Sequence, residues 1–310
     1  MNLDGLRRRV PFGDVEPAAE GGPPLPLGRR VVLPGRGTTF LREVPGPPAA
    51  ATIVLVHGWM ASGGINWFRV FEPLGSEFRV IAPDLRGHAR GLRTRHRFRL
   101  ADCADDIALT LDTLGIEQAI VVGYSMGGPI AQLLWHRHPD RVAGLVMVAT
   151  SHRFVPGMRE RMIFTSTMAV AAGTTRAGQV VSTLPRSWAQ QTRRFMAVRQ
   201  PVRPDSMRHW AAAEMRRHDI RLVLEAGGAI GRYDARRWIG EVDVPTAVVV
   251  TTLDRAVPPA EQVRTAFAIP GATVHRCEDG HVACAGDVLA TPLVAACREV
   301  AERAGLGRLA

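Results

Sequence analysis

Lysine is absent from this sequence of 310 residues; all 39 basic side chains are arginine. Arginine keeps its charge at every pH near neutrality and grips carboxylates and phosphates through two parallel hydrogen bonds. Aromatic residues are sparse, at 6%. The arginines therefore lack the interleaved stacking side chains of a nucleic-acid groove, and a pI near 11.0 does not by itself make nucleic acid an expected partner. No apolar run approaches the ~18–20 residues of a membrane span. The first thirty residues hold no apolar signal core, so a cytoplasmic location is expected.

Cysteine is scarce as well. Cys103, Cys277, Cys284 and Cys297 match no zinc or CxxC spacing and read as small buried apolar side chains. Cys277 and Cys284 flank His281, which leaves a bond between them open. No GxGxxG follows a strand and no metal-ligand constellation is present, so neither a dinucleotide nor a metal is expected.

What is present is an ordinary globular balance, 46% hydrophobic and 22% charged, in a chain long enough for one large domain with an insertion. Residues 1–28 are rich in Pro, Gly and Glu and read as a poorly ordered tail. Arg30–Leu33 and Thr38–Val44 read as two strands joined by Pro34-Gly35-Arg36-Gly37. Apolar runs at Thr52–Val56, Phe78–Ala82, Ala119–Val122 and Val142–Ala149 follow, each fit for a buried parallel strand. Helical segments alternate with them, at Ala101–Leu114 and Met126–His138. The rhythm returns at Pro245–Thr251, Pro259–Ala268, Ala272–Cys277 and a final helix over Gly286–Ala304. Such alternation implies a mostly parallel sheet with helices on both faces.

Residues 151–237 interrupt the rhythm with helical segments such as Ser206–Glu225 and no strong strand. They read as a helical lid inserted into a core formed by 29–150 and 238–310. The lid carries 16 arginines against 6 acidic residues, whereas the rest of the chain balances 23 basic against 23 acidic. Two readings fit: a surface that attracts anionic substrates or an anionic lipid surface, and a solvated helical surface written in arginine.

The chemistry concentrates at Gly123-Tyr124-Ser125-Met126-Gly127. A serine between two glycines, where a buried strand turns into a helix, reads as a nucleophile elbow. The glycines allow close backbone approach, and the following helix offers amides and a positive dipole end to a developing oxyanion. Val54-Leu55-Val56-His57-Gly58-Trp59 ends an earlier apolar strand. Asp254 ends a later one, Thr246–Leu253, and His281 follows the last strand and a Glu278-Asp279-Gly280 turn.

These motifs, in the chain order Ser, Asp, His, resemble those of the α/β-hydrolase family over about residues 30–305. The resemblance implies an α/β-hydrolase fold with an inserted helical lid, and a serine hydrolase that cleaves carboxylic esters through an acyl-enzyme. It implies Ser125 as nucleophile, His281 as base and Asp254 as the carboxylate that orients it. An acid at a strand end also fits a helix cap; no acid ends the preceding strand, where Ala149-Thr150-Ser151 stands. The backbone amides of Trp59 and Met126 are implied as the oxyanion hole, with His57 supporting the loop.

Met60, Trp67 and Phe68 are expected to line an apolar substrate pocket with the lid methionines, which equally fit a lid core. Asp84-Leu85-Arg86-Gly87-His88 resembles the family's DxxGxG turn, with Ala89 and Gly91 where the family often has Gly and Ser. Arg90, Arg93, Arg95, Arg97 and Arg99 follow, either to meet an acidic substrate or as a solvated basic loop. The serine argues against dehalogenases and epoxide hydrolases, where the resemblance expects aspartate. Thioester, lactone and carbon–carbon cleavage and cofactor-free perhydrolysis stay open, and Gly64-Ile65-Asn66-Trp67 resembles carbon–carbon hydrolases. So does a non-catalytic binding protein on the same fold, against which the intact Ser, Asp and His count. The expected partner is a small acyl substrate, anionic or lipid-like, with peripheral contact to an anionic surface open.

Overall fold

The computed structural model describes residues 22–154, 166, 168, 172–173 and 207–306. Most of the tail and much of the segment read as a lid lie outside the described residues, including Met158, Met162 and Met196. Of the tail, Leu25 packs against the core, and Pro26 O accepts a 2.6 Å hydrogen bond from the Arg42 guanidinium.

The hairpin pairs β1 (Gly28–Leu33) with β2 (Gly37–Val44) in antiparallel register. Pro34 to Arg36 form the turn, with Gly35 at a φ of 71°. Six more strands follow: β3 (Thr52–Val56), β4 (Arg79–Pro83), β5 (Ala119–Tyr124), β6 (Val142–Val148), β7 (Thr246–Thr251) and β8 (Thr273–Cys277). The sheet order is β1-β2-β4-β3-β5-β6-β7-β8, antiparallel through β2–β4 and parallel from β4 onward. The central strands are Val- and Ile-rich because both of their faces are covered. All residues of β5 and β7 are buried.

Short helices α1 (Gly63–Trp67) and α2 (Phe71–Gly75) follow β3. The longer ones are α3 (Leu100–Thr113), α4 (Gly127–Arg137), α5 (Met207–Arg216), α6 (Ile220–Arg232), α7 (Pro259–Ala268) and α8 (Ala290–Arg303). Apolar residues of α3, α4 and α6 join the core on one face of the sheet. Trp67, Leu74, Leu293, Cys297 and Val300, from α1, α2 and α8, close the other.

The chain leaves β3 for β4 on one side, then crosses back to β5 on the other. Such a reversal opens a crevice outside the carboxyl ends of the two strands, the general ligand position in open α/β sheets. The loops after β3 and β5, which carry Trp59 and Ser125, both emerge there.

The helix expected over Ser206–Glu225 is two helices. Asp219 adopts an extended conformation, and its carboxylate accepts from the Leu222 amide at 3.2 Å to start α6. Both helices dock on the loop after β4. The Asp219 amide donates to Gly87 O at 2.9 Å, and the Ala89 amide donates to His218 Nδ1 at 2.7 Å. Arg90 meets both oxygens of Glu214 at 2.8 Å, with side chains 6% and 3% exposed. Arg221 donates to the carbonyls of Thr94 and His96, and the Phe98 amide donates to Glu225 at 2.8 Å.

The basic loop is therefore in part a clamp. Arg90 is spent on Glu214, and Arg93 reaches the carbonyls of Ala89 and Arg217. Arg90 is paired inside the fold, which corrects the substrate-facing reading for that residue, whereas Arg93 is exposed and its carbonyl partners do not neutralise its charge. Arg95, Arg97 and Arg99 are exposed. Removing one partner of a buried ion pair strands the other charge. Glu214→Ala is accordingly expected to cost about 3–5 kcal/mol, read from the urea midpoint, whereas Arg90→Met with Glu214→Leu should recover most of that loss. A Glu214→Ala midpoint equal to wild type would contradict the clamp.

Candidate active site

Ser125 sits at the end of β5 with φ of 50°, a left-handed conformation that costs a residue with a Cβ about 1–3 kcal/mol. Its main chain is tied on both sides. Its amide donates to Val148 O at 2.9 Å, and its carbonyl accepts from the Gly128 amide at 2.9 Å and the Thr150 hydroxyl at 2.7 Å. The glycines at the elbow answer to space. A Cβ on Gly127 would stand 2.0 Å from Val56 O, and one on Gly123 would stand 2.4 Å from Gly127 O. The tightness of the turn brings the loops after β3 and β5 together.

The structure joins three of the residues singled out in the sequence. Ser125 Oγ lies 3.0 Å from His281 Nε2, and His281 Nδ1 lies 2.8 Å from Asp254 Oδ2. With Nδ1–H donating to the carboxylate, Nε2 is left to accept from the serine hydroxyl, a tautomer assigned by the hydrogen-bond network. The serine is 9% exposed, and the His281 side chain is 29% exposed.

Asp254 lies three residues past the end of β7 and bonds both to His281 and to the turn ahead of α7, whose N-cap, Pro258, has no side-chain cap. Its Oδ1 accepts from the Ala256 and Val257 amides at 2.8 and 2.9 Å, fixing the turn that leads into α7. Its Oδ2 accepts from His281 and from the Thr251 hydroxyl, 2.8 Å each, and from Gln262 Nε2 at 3.3 Å. Burial pushes this carboxyl up, but hydrogen bonds from His281, the Val257 amide and Thr251 outweigh it and hold the group below the usual aspartate range.

The loop after β3 is braced from several directions. His57 is fully buried, with Nδ1 bonded to Gly58 O at 2.8 Å and Nε2 accepting from the Leu85 amide at 2.9 Å. Burial pulls its pKa down to about 3, so it stays neutral through the physiological range. Asn66 Oδ1 accepts from the Gly58 amide at 2.8 Å. The Trp59 indole donates to Val223 O at 2.7 Å, tying this loop to α6. Among the described residues, neither the Trp59 nor the Met126 main-chain amide donates a hydrogen bond.

Asp84 repeats the architectural pattern. It is buried and accepts from the Gly63 and Arg90 amides at 2.8 and 3.0 Å. Burial, partly offset by those two amides, raises its pKa to about 6.

The expected pocket residues separate. Met60 is 42% exposed at a φ of 58°. Phe68 is half-buried and meets Trp210 of α5 edge-on at 6.0 Å. Trp67 does not line a pocket. It is fully buried in the core, edge-to-face against Tyr124, because α1 turns that side of the helix onto the sheet. Cys277 and Cys284 are both free thiols.

Gln262 and Thr251, which bond Asp254, carry no functional reading in the sequence, and Asn66 and Tyr124 enter it only within the motifs Gly64–Trp67 and Gly123–Gly127. The signal for Gln262 is weak but real: a polar residue on the buried face of α7, eight positions after Asp254.

A family model described as alpha/beta hydrolase fold matches residues 51–285. The chain belongs to this family. It is 30% identical over 226 residues to a pimeloyl-[acyl-carrier protein] methyl ester esterase of Chromobacterium violaceum, covering 72% of this chain and 84% of that protein. A shorter match, 35% identical over 123 residues, joins it to an epoxide hydrolase B of Mycobacterium tuberculosis, covering 38% of this chain and 34% of that one. A thermophilic esterase of Thermogutta terrifontis shares the α/β-hydrolase fold with a TM-score of 0.66 and 23% identity, over 89% of this chain and 98% of that one. The chain is an enzyme of the α/β-hydrolase family.

Proposed function

We propose that this enzyme hydrolyses carboxylic esters of small acyl substrates through an acyl-enzyme on Ser125. The observation that carries the reading is the unbroken hydrogen-bonded line from Ser125 Oγ through the His281 ring to Asp254 Oδ2, at 3.0 and 2.8 Å.

Ser125 Oγ attacks the ester carbonyl as its proton passes to His281 Nε2. The buried Asp254 carboxylate holds the ring and stabilises the imidazolium. The carbonyl oxygen, now negative, takes hydrogen bonds from the Trp59 and Met126 amides, donors without another partner among the described residues. The imidazolium returns the proton to the departing alkoxide, which leaves as the alcohol. Water then gives its proton to His281 and attacks the acyl-enzyme; collapse releases the acid and restores the serine.

The esterase names of two relatives favour esters over other acyl donors. The epoxide hydrolase match carries less weight, because it spans 38% of the chain and the elbow here bears serine.

A panel of p-nitrophenyl and methyl esters, acyl thioesters, a β-diketone and a terminal epoxide, at several chain lengths, tests the reading. Expected is ester turnover with a burst of alcohol ahead of acid release. Cleavage of the diketone or epoxide with no ester turned over would contradict it.

A further inference from the structure

Among the described residues the last strand of the sheet, β8, pairs only with β7; half-buried and exposed residues alternate from Thr273 to Arg276, and Cys277 is buried. The loop that carries His281 springs from this edge. Around it, Leu253 N–H donates to Asp279 O at 3.0 Å, and Ala283 N–H donates to Gly280 O at 3.2 Å. Residue 281 itself is held differently. Its carbonyl accepts from the Tyr124 hydroxyl at 2.6 Å. Among the described residues this is the one hydrogen bond that its main chain makes.

Tyr124 has the opposite setting. It ends β5, which is paired on both sides, by β3 and β6. The side chain is 3% exposed, and its ring rests edge-to-face on Trp67 at 5.9 Å and 88°. Trp67 is itself sealed in the core. The Cys284 thiol lies beside the same hydroxyl; burial pushes the phenol well above its ordinary pKa, so it remains a neutral donor. Serine and histidine are thus referred to one rigid strand: Ser125 through the peptide bond that follows Tyr124, and His281 through the hydroxyl at the tip of Tyr124.

We propose that the Tyr124 hydroxyl is a positioning group that sets the reach of His281 to Ser125 Oγ. Tyr124 touches no reacting atom. It acts through the His281 backbone, and the inference rests on the roles given above to Ser125 and His281. A general base works only within hydrogen-bond reach of its proton, and the observed 3.0 Å leaves little room. A displacement of about 1 Å in such a group can cost about a hundredfold in rate.

Phosphonylation of Ser125 by a fluorophosphonate needs the same base and no known substrate. Its saturation kinetics separate the maximal labelling rate from probe affinity. Tyr124→Phe keeps the ring on Trp67 and removes only the hydroxyl. Its maximal labelling rate is expected to fall by about ten- to a hundredfold, with probe affinity within about twofold. Trp67→Phe loosens the ring from the other side and keeps the hydroxyl. It is expected to lower the melting temperature yet label within about threefold of wild type.

Labelling of Tyr124→Phe at the wild-type rate would overturn the inference. So would equal slowing in both variants, which would make Tyr124 a packing residue only. A folded wild-type protein that takes no label would instead remove the catalytic reading on which the inference stands.

Discussion

Ser125→Ala is expected to lower kcat on the best ester by about a million-fold, the usual scale for losing the nucleophile of a working triad. The fold should be spared. Ser125 Oγ bonds only to His281 among the described residues, while the contacts that lock the elbow come from its main chain. Alanine also keeps a Cβ at the φ of 50°, so the strain at this position neither grows nor relaxes. A melting curve within a few degrees of wild type is expected beside the collapse of kcat. Activity surviving within tenfold in a pure, folded Ser125→Ala preparation would assign the chemistry to another group.

Asp254→Asn should lower kcat by about ten thousand-fold, for a reason that lies in proton placement. The carboxylate accepts five hydrogen bonds, two on Oδ1 and three on Oδ2. An amide has one acceptor oxygen. If its NH2 faces His281, Nδ1 must become the acceptor, and Nε2 then carries a proton and cannot take one from Ser125. If its NH2 faces the Ala256 and Val257 amides, donors oppose donors and the turn ahead of α7 is disturbed. The first placement removes the base and the second loosens the turn that holds residue 254, so the kcat loss expected is that of the first.

The same carboxylate has a signature in acid. Its folded pKa lies below the ordinary aspartate value because the bonds from His281, the Val257 amide and Thr251 outweigh burial. The stability it contributes is fully present above about pH 4 and is lost as the pH falls through the lower, folded value. Asp254→Asn should lose that part of the acid dependence, measurable as a flatter change in urea midpoint below pH 4.

Much of this molecule is legible from the chain alone. The Val/Ile runs of β3, β5 and β7 mark buried strands because strands covered on both faces need continuous apolar sequence. Gly123 and Gly127 mark the elbow because no Cβ fits at either. Ser125, Asp254 and His281 follow sheet strands, and a sheet gathers its strand ends at one edge.

What was missed depends on partners far away in sequence. Arg90 reads as a basic loop residue until Glu214, 124 positions on, is seen to bury it. Trp67 reads as pocket lining because its five-residue helix is too short for periodicity to assign a buried face. The break between α5 and α6 had a local cue, Asp219 placed to cap Leu222. The near-continuous helical pattern across it masked that cue.

The central claim is that the hydroxyl of residue 125 is a nucleophile made reactive by the imidazole beside it. The most direct measurement is peptide mapping by mass spectrometry after the native protein has reacted with a fluorophosphonate at neutral pH. Expected is one stoichiometric adduct on Ser125, lost when the protein is unfolded before the probe is added. A folded protein left unmodified, or modified only at another residue, would contradict the claim.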